Sequence, residues 1–172
     1  KLNKVPGAAI ILGSGLGDLV ETITRPTIIP YAEIPHWPKP GVHGHTGQLV
    51  CGELQGREVM LMQGRTHFYE HGDIRESAFP VRVMNRLGIK TLIVTNAAGA
   101  INPEFTPGDV MLITDHISFA GMAGVNPLIG PNMEEFGPRF PDMSQPYDPH
   151  LQALCRDAAK DAGIDLKEGV YV

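Results

Sequence analysis

Short apolar runs that stop at glycine or at a polar turn constrain the fold of this chain more than any other feature of its sequence. Runs of this kind are typical of buried β-strands. The letters QGR at 55–57 separate two of the runs in the manner of a hairpin turn, which predicts that part of the sheet is antiparallel. The predicted strands are Ala8–Leu12, Leu49–Leu54, Val59–Met62, Thr91–Val94 and Val110–Ile113, with a last strand within GVYV at 169–172.

Two helices are predicted beside these strands. One spans about Pro80 to Leu87, and the other spans Pro149–Ala162. Asp148 is a natural N-cap for the second helix and Gly163 a natural stop. Strands alternating with helices predict an α/β fold around a mixed sheet. The apolar side chains of the second helix share one face, which is typical of a helix packed on a sheet: Leu151, Leu154, Cys155, Ala158 and Ala162.

The length and charge of the chain limit its class. A chain of 172 residues predicts a single domain, residues 1–172, with a sizeable core. A net charge of -5 and a pI near 5.8 give no basic surface for nucleic acid. No long apolar run or leader pattern is visible, so we expect no membrane partner and a cytoplasmic location. Cys51 and Cys155 lack C-x-x-C spacing, which favours buried, reduced thiols.

Four stretches rich in glycine and polar residues stand where predicted strands end, and ligands bind at such positions in open α/β sheets. Ser14 offers a hydroxyl, Arg65 a planar fork of donors suited to phosphate, and His67 points the same way if its strand continues. The small side chains after Asn96 leave the backbone N–H groups of that turn open to ligand oxygens. The stretches, GSGLG at 13–17, HGHTG at 43–47, GRTHFYEHG at 64–72 and TNAAGAINP at 95–103, predict an anion site.

Other interpretations of these stretches differ in the ligand. GSGLG is not a dinucleotide fingerprint, because Asp18 stands where the third glycine belongs, and no Gly-Lys-Ser or Gly-Lys-Thr of a P-loop follows. A noncatalytic phosphate- or nucleotide-binding module is one alternative. A metal-binding protein is another, but we expect no metal because the clustered histidines match no common zinc spacing: His36, His43, His45, His67 and His71.

The four stretches, with GDVMLITDHI at 108–117 and FGPRFPDMS at 136–144, resemble the trimeric, low-molecular-mass purine nucleoside phosphorylases over the whole chain. The resemblance implies a three-layer α/β/α fold around a mixed sheet. It also implies phosphorolysis of purine ribonucleosides or deoxyribonucleosides to free base and pentose 1-phosphate. Methylthioadenosine phosphorylase is a rival within the family, although GRTHFYEHG looks more like the enzymes that act on 6-oxopurines. Inorganic phosphate is then a co-substrate, and no cofactor is expected.

The resemblance assigns roles to individual residues. His67 and Asn96 match catalytic positions, Tyr69 matches a contact to the sugar, and Phe140 matches an aromatic that covers a neighbour's pocket in a homotrimer. In the family, the residues that grip the purine lie beyond the position of Val172. We therefore expect a partial chain, with the fold incomplete at the C-terminus, base preference undetermined and no activity alone. The implied phosphate-binding residues are Ser14, His45, Arg65, Thr66, His67 and Ala97.

Overall fold

The structure is a computed structural model that describes residues 4–39, 41 and 46–172. Two compact units make up the chain, residues 1–98 and 99–172, and each is described by itself. The single domain expected from the length stays a prediction. None of the described helices is long and apolar enough to cross a membrane.

The first unit is built on a five-stranded mixed sheet in the order β2-β3-β4-β1-β5. β1 runs parallel to β4 and β5, and β3 runs antiparallel to β2 and β4. The predicted mixed sheet is therefore confirmed. The strands are β1 (Ala8–Leu12), β2 (Thr24–Pro30), β3 (Gln48–Leu54), β4 (Arg57–Gln63) and β5 (Thr91–Val94).

The sequence predicted the hairpin turn of this sheet but not its edge strand β2. The hairpin between β3 and β4 turns at Gln55 and Gly56, with φ values of 49° and 76°, as the two-residue turn of a twisted hairpin requires. β2 was not predicted from the sequence. It is an edge strand that contains Pro26, and most of its side chains are exposed, so it lacks the apolar alternation by which strands are recognised.

The two faces of the sheet bury different side chains, because successive strand residues point to opposite faces. One face packs against Phe79, Val83 and Met84 of a helix, and the other against Leu19 and Val20 of a short 3-10 helix. Helical segments thus cover both faces, as an α/β layer arrangement requires. The first face buries Ala9, Ile11, Leu49, Cys51, Met60 and Met62, and the second Leu12, Val50, Val59 and Leu61.

The helix on the first face, α2 (Ile74–Arg86), follows a single helical turn, α1 (Phe68–His71). The predicted start at Pro80 is wrong, since Pro80 is buried inside α2. The helix begins instead at Asp73, whose carboxylate accepts a hydrogen bond of 2.9 Å from the Arg75 backbone N–H. Proline is favoured in the first turn of a helix, and the sequence predicted a start at Pro80. Here the Asp73 N-cap and the buried apolar face stabilise a helix that continues through the proline.

The second unit carries a two-stranded parallel sheet, β6 (Met111–His116) with β7 (Lys167–Tyr171), and two helices, α3 (Phe119–Met122) and α4 (Pro149–Asp161). α4 confirms the predicted cap. The Asp148 carboxylate accepts hydrogen bonds of 2.8 Å and 3.0 Å from the N–H groups of His150 and Leu151.

The predicted apolar face of α4 is not buried within this unit. Leu151 is 37% exposed and Leu154 is 49% exposed. Cys155 is exposed too, so the prediction of two buried thiols is wrong for Cys155 and right for Cys51. A sheet of two strands offers too little apolar surface to bury a helix face.

Candidate active site

The site begins where β1 and β5, neighbouring parallel strands, end side by side. A Cβ added to Gly13 would lie 2.6 Å from the Thr95 carbonyl oxygen and 2.7 Å from the Asn96 Cα. Only glycine allows this close approach of two backbones. The GSGLG turn and the TNAAG turn are therefore in direct contact, as expected for two carboxyl ends of one parallel sheet.

Arg65 brings a third stretch to the same edge. It follows β4, and its Nη1 donates to the carbonyl oxygens of Thr95 at 3.1 Å and of Leu12 at 3.4 Å. These carbonyls end β5 and β1, so the guanidinium bridges both strands. The three stretches therefore meet at one sheet edge, while the anion site predicted there and the roles assigned to its residues stay predictions.

His67 is held by the carboxylate of Glu70, which belongs to the same GRTHFYEHG stretch. The Glu70 Oε1 atom accepts a hydrogen bond of 2.7 Å from the His67 backbone N–H and lies 3.0 Å from the His67 Nδ1. The Gly41 backbone N–H donates to the other oxygen, Oε2. His67 thus caps α1 in a reciprocal capping box. β4 ends at Gln63, so the condition for His67 to point the same way as Arg65 along a continuing strand is not met.

The charge on Glu70 follows from this surrounding. Burial by itself raises the pKa of the carboxyl, but hydrogen bonds from His67 and Gly41 outweigh it and lower the pKa to about 2. Glu70 is therefore an anion at neutral pH, and a carboxylate only accepts hydrogen bonds. The proton in the contact with His67 must lie on Nδ1. The signal in the sequence was a glutamate three residues after a possible N-cap, although histidine is an unusual cap.

Tyr69 lies beside this pair with its ring stacked on that of His67. The ring centroids are 4.9 Å apart and the ring planes differ by 15°. The Tyr69 side chain is 73% exposed, so it presents an aromatic face and a phenol to solvent next to the imidazole. An amphipathic aromatic of this kind suits one face of a sugar.

A cavity of about 300 Å³ adjoins these residues, and Arg65, Thr66 and His67 line it together with residues of α2. Thr66 is 7% exposed, and its hydroxyl has no hydrogen-bond partner. Its carbonyl oxygen accepts a hydrogen bond of 3.5 Å from the Ser77 hydroxyl. Thr66 is therefore the polar residue of the cavity whose hydroxyl is left unsatisfied by the protein.

The remaining predicted site residues fall into three groups. Ser14 and Ala97 are exposed on the contacting turns, and the Asn96 Nδ2 donates to the Ala97 carbonyl oxygen at 3.3 Å. His45 lies outside the described residues. Phe140 belongs to the second unit, where it is 85% exposed.

Metal ligands do not assemble among the described residues. No group of three or more His, Cys, Asp or Glu side chains in 4–39, 41 and 46–172 is placed to hold an ion. The pairing of His67 with Glu70 engages that histidine in capping α1.

The strand ends of this mixed sheet bring together two glycine turns and an arginine, and a histidine held by a carboxylate follows the same strand as the arginine. The arrangement defines an α/β protein with its polar groups at one sheet edge. The chain belongs to the phosphorylase superfamily, whose profile matches residues 8–172. The phosphorylase-like α/β fold expected from the sequence is thereby confirmed.

Within this superfamily, the chain is similar to several purine nucleoside phosphorylases. The chain is 53% identical over 170 residues to purine nucleoside phosphorylase 1 of Bacillus subtilis, covering 99% of this chain and 62% of that protein. It is similar to isoform 2 of purine nucleoside phosphorylase from Schistosoma mansoni in complex with cytosine and ribose-1-phosphate, with a TM-score of 0.91, 48% identity, and coverage of 99% and 60%. A schistosoma purine nucleoside phosphorylase in complex with hypoxanthine gives a TM-score of 0.92, 43% identity, and coverage of 99% and 61%. The chain thus spans about three fifths of the length of these proteins.

Proposed function

We propose that the protein carrying this chain is a purine nucleoside phosphorylase, which cleaves purine ribonucleosides or deoxyribonucleosides with inorganic phosphate. The observation that carries the proposal is the meeting of the Gly13 turn, the Asn96 turn and Arg65 at one sheet edge. The relatives named purine nucleoside phosphorylase, and the schistosome complexes with ribose-1-phosphate and hypoxanthine, support it.

The proposed chemistry matches the charges of the site. A phosphate oxygen forms a bond to C1′ of the pentose while the bond from C1′ to the purine nitrogen breaks, and the electron pair of that bond leaves with the purine. Positive charge then develops on the pentose ring, as in other glycosyl transfers. Arg65 supplies fixed donors for a phosphate anion, and the phosphate in turn stabilises the charge on the ring. No cofactor enters this scheme.

His67 and Tyr69, which lie near Arg65 in the chain, are the proposed contacts to the phosphate and the sugar. With its Nδ1 proton directed at Glu70, a neutral His67 carries its lone pair on Nε2, and a protonated one carries a donor there. Either form suits contact with a phosphate or a sugar hydroxyl. Tyr69, exposed and stacked on His67, is the proposed contact to the sugar.

Assembly and location belong to the same proposal. We assign the protein to the cytoplasm as a homotrimer in which Phe140 of one subunit covers the nucleoside pocket of the next. An aromatic side chain that is 85% exposed supports a role at such an interface, and the free, buried Cys51 is consistent with a reducing compartment. Light scattering of an active sample measures the oligomeric state, and an active monomer contradicts the assignment.

The test of the activity is phosphate-dependent cleavage of inosine by the protein that carries this chain. We expect hypoxanthine and ribose 1-phosphate in equal amounts, and no cleavage when phosphate is omitted. Release of free ribose without phosphate would indicate hydrolysis and overturn the proposal. Phosphate binding without cleavage of any purine nucleoside would favour a noncatalytic phosphate-binding module.

A further inference from the structure

Thr95 joins three segments of the site through a single residue. Its hydroxyl accepts a hydrogen bond of 2.8 Å from the Gly13 N–H and donates one of 2.9 Å to the Ile11 carbonyl oxygen. Its own carbonyl oxygen accepts the 3.1 Å hydrogen bond from Arg65. Its peptide bond leads directly into Asn96, so it also connects these segments to the rest of the TNAAG turn.

The hydroxyl acts at the place where the sheet stops pairing these strands. The register of β1 with β5 ends at Ile11 opposite Val94, and the last backbone hydrogen bond between the strands runs from the Thr95 N–H to the Ile11 carbonyl oxygen at 3.1 Å. The Gly13 N–H lies beyond this bond and donates to the Thr95 hydroxyl. A hydroxyl carries one hydrogen and two lone pairs, so it can donate to one strand group and accept from another at the same time. The Thr95 side chain thereby extends the contact between the strands by one link, up to the first residue of the GSGLG turn.

We infer that Thr95 is a positioning residue for phosphate, which sets the distance between the GSGLG turn and the TNAAG turn and the place of Arg65. The inference rests on the proposed function. Without the hydroxyl, the Gly13 N–H loses its acceptor, while the Ile11 carbonyl oxygen keeps the hydrogen bond from the Thr95 backbone N–H. The fold and the charge of Arg65 remain. Phosphate must fit donors on both turns, so its binding depends on that distance more strongly than binding of the nucleoside does.

The experiment compares three variants in the protein that carries this chain. Thr95→Val keeps the shape and removes the hydroxyl, Thr95→Ser restores it, and Thr91→Val makes the same change at the start of β5. The KM values for phosphate and for inosine are measured separately. We expect Thr95→Val to raise the phosphate KM about tenfold, equivalent to about 1.4 kcal/mol. The inosine KM should change little, and Thr95→Ser and Thr91→Val should match the unaltered protein.

The KM pattern also separates positioning from a general structural role. An unchanged phosphate KM in Thr95→Val, an equal rise of both KM values, or a defect that Thr95→Ser does not relieve would each overturn the inference. If Thr95→Val does not fold, Thr95→Ala removes the hydroxyl with less bulk and is held to the same expectation. If the unaltered protein shows no phosphate-dependent cleavage, the proposed function fails first, and the inference fails with it.

Discussion

The two compact units of the chain are held together differently. In residues 1–98 a five-stranded sheet buries apolar side chains on both faces, and Leu61 and Ala9 at its centre are 0% exposed. In residues 99–172, Ala159 is the only buried apolar side chain in the described structure. Several apolar side chains of that unit are exposed instead, among them Ile101 at 86% and Met122 at 78%.

Local polar contacts hold the second unit. The Arg156 guanidinium forms two hydrogen bonds, of 2.7 Å and 2.8 Å, with the Glu168 carboxylate and so ties α4 to β7. His116 and Tyr147 make a ring stack and a hydrogen bond at the end of β6. Exposed contacts of this kind contribute little to stability compared with a buried sheet. The residues that meet at the sheet edge, Gly13, Arg65 and Thr95, therefore lie in the unit whose backbone is held by a packed core.

The largest expected effect is that of Gly13→Ala. The added Cβ would meet the Thr95 carbonyl oxygen at 2.6 Å, a contact with backbone that cannot move without disturbing β5. Overpacking of this kind costs about 1–3 kcal/mol, and we expect the free energy of unfolding to decrease by an amount near the upper end of that range. Urea denaturation measures the decrease. The matched control in the second unit is Gly99→Ala, whose Cβ meets nothing within 4 Å and should leave stability nearly unchanged. Equal free energies of unfolding for the two variants would contradict the expectation that the backbone is more tightly packed at Gly13 than at Gly99.

Arg65→Ala tests the functional side of the same difference. Charge-assisted hydrogen bonds contribute about 1.5–3 kcal/mol. We therefore expect the phosphate KM to rise by roughly tenfold or more in a phosphorolysis assay. Arg65→Lys keeps the positive charge but lacks the planar fork of donors, so its phosphate KM should lie between those of the unaltered protein and Arg65→Ala.

The control for the arginine is Arg156→Ala, which removes a guanidinium of the second unit that is bound to Glu168. This variant should leave the phosphate KM as it is. An equal rise in both alanine variants would show that loss of positive charge anywhere in the protein weakens phosphate binding, and the assignment of Arg65 would fail.

Glu70→Gln probes the pH dependence of the first unit. The pKa of Glu70 is lowered from 4.5 to about 2, so the folded protein binds the proton less readily than the unfolded chain. The resulting stabilisation is complete above about pH 4.5 and is lost as the pH falls toward 2. We expect Glu70→Gln to flatten this part of the stability curve, followed by thermal unfolding from pH 7 downward.

Glu168→Gln provides the matched variant in the second unit. Its hydrogen bonds with Arg156 also lower its pKa, but its side chain is 40% exposed, so solvent screens the effect. The acid limb should therefore change less than in Glu70→Gln. A larger change for Glu168 would reverse the ranking of the two units.

The smallest expected effect on stability is that of Phe140→Ala. A side chain 85% exposed makes few contacts to lose, so the free energy of unfolding should change by less than about 0.5 kcal/mol. If Phe140 covers a neighbour's nucleoside pocket, the KM for inosine should nevertheless rise more than the KM for phosphate. A phosphate KM that rises as much as the inosine KM would contradict that role.

The elements that depend on residues close together in the sequence could be predicted. The apolar runs of β1, β3, β4 and β5, the Gln55-Gly56 turn and the Asp148 cap all depend on residues close in sequence. β2 was missed because an edge strand needs no apolar alternation. The start of α2 was predicted too late, at Pro80, whereas the Asp73 N-cap and the buried face of the helix place it at Ile74.

By itself the sequence determined the class of fold, the places where strands end and the residue types gathered there, since strand periodicity and turn chemistry act over a few residues. Only the tertiary structure decided the contacts among those places. The close approach of Gly13 to Thr95, the two carbonyl oxygens that hold Arg65 and the hydrogen bond from the Gly41 N–H to Glu70 depend on strand order and on a chain reversal. These are distances between residues far apart along the chain or across a turn, and packing of the sheet sets them.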